Sequence, residues 1–132
     1  GKPRDDQFYA LNPLTRSHKG YRVQVDWWNR NPALKTTGPS FGWVNAAYTS
    51  CLATTGNAKW LAGVQCPVQV HLADHEVIVS RLHAYRMTAR LPRAEIHHYP
   101  SARHELLLEL PDVVELLWQR VGEFINTQLE ED

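Results

Sequence analysis

What this sequence has little of narrows its function first. It has no charge excess, because 14 lysines and arginines balance 14 aspartates and glutamates over 132 residues. That balance removes the electrostatic case for a nucleic-acid partner. It has no apolar run near the roughly 18 residues that a membrane-spanning helix needs, and its opening GKPRDDQFYA lacks the apolar centre of a secretory signal. The expectation is a soluble, cytoplasmic chain, with a peripheral membrane contact left open. Cysteine is scarce: Cys51 and Cys66 sit among apolar neighbours without C-x-x-C spacing, and two thiols make no disulfide framework, so both are expected as buried free thiols. There is no internal repeat and no low-complexity tract, and no methionine at the start, which hints at a segment removed upstream.

What is present reads as ordered α/β structure. After an opening loop with Pro3 and Pro13, the spacing of Tyr21, Val25 and Trp28 predicts a helix over Arg16 to Asn31, with Thr15 as N-cap and Pro32 beyond its end. A second helix is expected from Phe41 to Thr54, with Val44, Ala47, Tyr48 and Cys51 on one face, and AKWLAGV as a short helical turn after Gly56-Asn57. Character changes at Cys66-Pro67. PVQVHLA reads as a strand, SRLHAYRMTARL as a helix from Ser80, and AEIHHYP as a second strand. Beyond Pro111, Asp112 to Glu115 resembles a capping box, and Val114, Leu117, Trp118, Val121, Phe124 and Ile125 stripe a final helix that frays at LEED.

Strand, helix, strand, helix is the grammar of a parallel sheet, but two strands are too few for an independent one. The expectation is part of a larger α/β protein whose partner strands lie upstream. In open α/β sheets ligands bind beyond the carboxyl ends of the strands, which singles out ADHEVIV and PSARHELLLE. The first loop offers Asp74, His75 and Glu76, and the second offers His104, with Glu105 behind it. An acid on one strand-end loop and a histidine on the next is the pattern of two members of a Ser-Asp/Glu-His triad: imidazole takes the serine proton and the carboxylate stabilises the resulting cation.

Gly38-Pro39-Ser40-Phe41-Gly42 matches G-x-S-x-G, the letters of a nucleophile elbow. An elbow needs a buried strand before the serine, and NPALKTTG is not one. Ser40 is therefore expected as a turn residue and N-cap. A metal site built from His71, His75, His97, His98 and His104 with Asp74 and Glu76 is disfavoured, because strand alternation sends His97 and His98 to opposite faces. No metal or other cofactor is expected. Tyr21, Trp27, Trp28, Trp43, Tyr48 and Trp60 are expected to pack helices against one another rather than line an acyl pocket, and Arg16, His18, Lys19 and Arg22 to form a solvated basic face.

The stretch from Pro67 to Glu109 resembles the C-terminal part of the bacterial lysophospholipase and monoacylglycerol-lipase α/β-hydrolases, with its acid loop ADHEVIV and histidine loop SARHELLLE. NPLTRSHKGY, the NP of WWNRNPALKT, and TTGPSFGWV are similar to the family's cap region, so the resemblance runs from about Asn12 to Phe124. It implies a helical cap over residues 1–62 and the C-terminal part of an α/β-hydrolase core over 63–132, with an incomplete parallel sheet. It makes Glu76 the triad acid, with Asp74 as runner-up, and His104 the general base. The nucleophilic serine and oxyanion hole would lie upstream, in the N-terminal part of the same enzyme. The implied substrate is a lipid or small ester of lysophospholipid or monoacylglycerol type, hydrolysed in a bacterial cytoplasm or at the periphery of the inner membrane. This chain alone would be inactive. A proline-iminopeptidase-like or other cap-bearing hydrolase, or a non-catalytic α/β binding module, are the alternatives.

Overall fold

Pro67 opens a run of β-branched residues, and the chain becomes extended at once. In the computed structural model, which describes residues 7–35 and 38–130, strand β1 spans Val68–Ala73 and strand β2 spans Ala94–Tyr99. They pair in parallel, with Val68 opposite Ala94 and Ala73 opposite Tyr99. Helix α4, Arg81–Thr88, lies between them in sequence and makes the crossover that a parallel pair requires. Ahead of them lie α1 (His18–Arg30), a 3-10 turn at Pro32–Leu34, α2 (Phe41–Ala53) and α3 (Ala58–Ala62); after them come a 3-10 turn at Leu106–Leu108 and α5 (Pro111–Glu130).

Period-two alternation gives the sheet two different faces. Gln69, His71 and Ala73 share one face with Glu95, His97 and Tyr99, and α5 covers it. Ala73, Tyr99, Ala102, Val113 and Leu117 form the buried core there, with Leu106 and Val121 packed against it. The Arg120 guanidinium lies 4.8 Å from the Tyr99 ring centroid and donates to the His98 carbonyl at 3.1 Å, which pins α5 across the strand ends. Tyr85 of α4 stacks on His98 on the opposite face.

Several expectations change. Helix α1 is capped by Ser17, whose Oγ accepts from Gly20 N at 3.0 Å; Thr15 instead sends its hydroxyl to the Leu108 carbonyl at 2.8 Å. Arg16 leaves the basic face for an ion pair with Glu109. Asp112 is not a cap, because α5 already begins at Pro111, where a missing N–H costs nothing. Cys51 and Cys66 are exposed rather than buried. The reason for Cys51 is that no residue of α2 is buried: Phe41, Trp43 and Tyr48 are all mostly exposed, so this helix does not bury its aromatics among the described residues. The loop around Pro3, Thr36-Thr37 and the last two residues of LEED lie outside the described residues.

Ser40 does cap α2, its Oγ accepting from Trp43 N at 3.1 Å. Among the described residues the segment before it holds the Pro32–Leu34 turn and no strand, so nothing there builds an elbow.

Candidate active site

The two loops singled out by sheet logic meet beyond the carboxyl ends of β1 and β2. Asp74 N donates to the Tyr99 carbonyl at 3.1 Å and His75 N to the Ala102 carbonyl at 3.0 Å, so the ladder continues past the strands and holds the loops side by side. On that base, Glu76 Oε2 lies 2.6 Å from His104 Nδ1. The Glu76 side chain is 6% exposed and that of His104 29%, a carboxylate sheltered behind an imidazole that still reaches solvent.

Each half of the Glu76 carboxylate has a separate task. Oε1 accepts the backbone N–H groups of Ile78 at 2.5 Å and Val79 at 3.1 Å, which turns the loop back on itself and leaves Oε2 for the histidine. Burial alone would raise the carboxyl pKa; the His104 hydrogen bond and the two amides outweigh it, so Glu76 sits below the ordinary value and is ionised at neutral pH. An ionised carboxylate only accepts, so Nδ1 must carry the proton in this pair. In the neutral ring Nε2 then holds a lone pair, and among the described residues no side chain or backbone group bonds to it. The arrangement can therefore take up a proton at Nε2 and stabilise the cation from Nδ1.

Asp74 is one turn of the same loop away and does something else. Its Oδ1 lies 3.2 Å from His98 Nδ1 and 3.4 Å from Arg81 Nη2, while Arg81 Nη1 donates to its carbonyl at 2.6 Å. It makes no bond to His104 among the described residues. His75 is exposed, and its backbone N–H, bonded to the Ala102 carbonyl, helps hold the loop.

His71 and His97 lie side by side under α5, their rings 5.5 Å apart. His71 Nδ1 is 2.7 Å from the Tyr99 hydroxyl and Nε2 is 2.8 Å from Gln69 Oε1. Gln69 Oε1 only accepts, so Nε2 bears the proton and the tyrosine hydroxyl donates to Nδ1; the neutral ring is fully satisfied. Burial, with His97 and Arg120 nearby, lowers the His71 pKa. Among the described residues no three His, Cys, Asp or Glu side chains gather in an arrangement that could hold a metal ion. No helix among them is long and apolar enough to cross a membrane.

Sequence reasoning missed the residues that hold the histidine loop. Glu109, with its side chain fully buried, accepts from Arg103 N at 2.9 Å, Arg16 N at 3.0 Å and Leu110 N at 3.1 Å. Its partners lie up to 93 residues away, and the local pattern HELLLEL gives no sign of them.

No protein-family model matches the chain. Over 112 residues it is 30% identical to the probable lysophospholipase L2 of Haemophilus influenzae, a match that takes in 81% of this chain and 34% of that relative. The chain thus spans about a third of the length of the curated relative it matches. Its mixed α/β order, with a two-stranded parallel sheet, is consistent with part of an α/β-hydrolase of lysophospholipase-like kind.

Proposed function

We propose that this chain supplies the acid and the base of a serine carboxylic-ester hydrolase acting on lysophospholipid or monoacylglycerol-type esters. The observation that carries the reading is the 2.6 Å contact between Glu76 Oε2 and His104 Nδ1 on adjoining strand-end loops. His104 Nε2 takes the proton of a serine hydroxyl as its oxygen attacks the ester carbonyl carbon, and Glu76 stabilises the imidazolium. The proton then passes to the departing alcohol oxygen, leaving an acyl-enzyme. Water enters, loses a proton to Nε2 in turn and attacks the acyl carbon; the acyl–serine bond breaks, the proton returns from Nε2 to the serine oxygen, and the fatty acid is released. The serine and the oxyanion-stabilising amides belong to polypeptide outside these 132 residues, so the isolated chain turns over no ester.

Likeness to a probable lysophospholipase supports the lipid-ester substrate class. The experiment is His104→Ala in the longer polypeptide that carries the serine. Loss of about 10⁶ in kcat is expected for removal of a triad base, and unchanged turnover would overturn the assignment. A panel of lysophospholipids, monoacylglycerols, short p-nitrophenyl esters and aminoacyl amides separates this reading from a proline-iminopeptidase-like one. Binding without turnover of any of them would leave a non-catalytic module.

A further inference from the structure

The motif NPLTRS, residues 12–17, has no part in proton transfer, yet it holds three of the four buried polar or charged residues among the described residues. Among the described residues the buried polar or charged ones are Asn12, Thr15, Ser17 and Glu109. Buried polar groups cost free energy unless bonded, so their partners define what the burial secures.

Asn12 ties the motif into a tight turn: Oδ1 accepts Leu14 N and Thr15 N, both at 3.0 Å, and Nδ2 donates to the carbonyls of Tyr9 and Thr15. The turn then presents its carbonyls outward to the histidine loop. His104 N donates to Pro13 O at 3.4 Å and Glu105 N to Leu14 O at 2.8 Å. Arg103 N donates to Glu109 Oε1, and its guanidinium reaches back to the carbonyls of Asn12 at 2.8 Å and Ala10 at 2.7 Å. Three consecutive backbone N–H groups, at 103, 104 and 105, are thus each held by a partner outside the 103–105 tripeptide. Thr15 Oγ1 closes the far end on Leu108 O. Gly20 lets α1 lie directly against that carbonyl, since a Cβ there would stand 1.8 Å from Leu108 O.

We propose that the Asn12–Ser17 turn, with Arg103 and Glu109, is a positioning device that sets the His104 backbone and so the approach of Nδ1 to Glu76. Arg103, Thr15 and Glu109 are positioning residues, acting through His104 and touching no reacting atom. The catalytic meaning of this rests on the hydrolase reading, but the coupling itself is readable without turnover.

The test uses the chain with Arg103→Met, which keeps the aliphatic stem and removes the guanidinium, and Thr15→Val, which removes only the hydroxyl. Two NMR signals are followed: the His104 Nδ1 proton, shifted far downfield by its short bond to a carboxylate, and the Glu76 carboxyl carbon through an acid titration. In both variants, with near-ultraviolet circular dichroism unchanged, the Nδ1 proton is expected to broaden or vanish and the Glu76 carboxyl to titrate closer to the ordinary value. Thr15→Ser, which restores the hydroxyl, is expected to recover both signals. If Arg103→Met does not fold, the Thr15 pair decides alone. Folded variants with both signals unchanged would overturn the proposal. In the longer catalytic polypeptide the expected effect is a loss of kcat of up to about 10²-fold with KM unchanged. If His104→Ala left turnover intact, the hydrolase reading would fall while the NMR result still judged the positioning device.

Discussion

Two regions of this molecule invert the usual relation between polarity and burial. In the turn from Asn12 to Ser17, the side chains of Asn12, Thr15 and Ser17 are buried and hydrogen-bonded, as is that of Glu109. Helix α2, with the sequence FGWVNAAYTSCLA and no charged residue, has no buried residue, and Phe41 is 96% exposed. Burial here follows the presence of partners rather than hydropathy. The turn finds its partners about 90 residues further along the same chain. An exposed apolar helix marks a surface shaped for contact, and on the proposed reading that contact is the rest of the hydrolase.

The comparison breaks most severely at Glu109. Glu109→Ala strips the acceptor from the backbone amides of Arg16, Arg103 and Leu110 and leaves Arg16 without its carboxylate. With about 1–3 kcal/mol expected for each buried amide left without an acceptor, the loss should be the largest of this series, read from urea unfolding midpoints. Gly20→Ala follows, because its new methyl meets the Leu108 backbone oxygen rather than a movable side chain; about 3 kcal/mol is expected, the upper end for overpacking. A smaller effect is expected from pH. The His71 pKa is lowered in the folded chain, so the unfolded chain binds the proton more readily. Stability should therefore fall as pH drops below about 6.5 and level off once the folded ring is protonated, and His71→Gln should flatten that slope. The smallest effect sharpens the contrast: Phe41→Ser and Trp43→Ser in α2 should change the stability of this chain by less than about 0.5 kcal/mol. A cost well above that would show that α2 has a partner within the chain.

Legibility in the sequence divides along the same line. Strands β1 and β2 and helix α5 were readable because a proline-opened β-branched run and an apolar stripe are local patterns. The meeting of Glu76 with His104 was readable from loops at successive strand ends and from the family resemblance, which already placed Glu76 ahead of Asp74; the structure turns Asp74 to His98 and Arg81. Thr15 was misread as a cap because its hydroxyl serves a carbonyl 93 residues away. Cys51 was misread as buried because an apolar helix normally implies something to bury it. Glu109, between Leu108 and Leu110, drew no reading of its own, because the amides of Arg16 and Arg103 that it accepts lie outside its local pattern, the first of them 93 residues away.

The carboxylate of Glu109 also sets where this chain breathes. Amide protons exchange with solvent only when their bonds open, and protection normally traces helices and strands. Arg16 and Arg103 belong to neither, yet both amides end on one buried oxygen, Glu109 Oε1. A deuterium-exchange map would therefore place two irregular segments in one slow block with the start of α5, and a single opening event would release the Asn12–Ser17 turn and the histidine loop together.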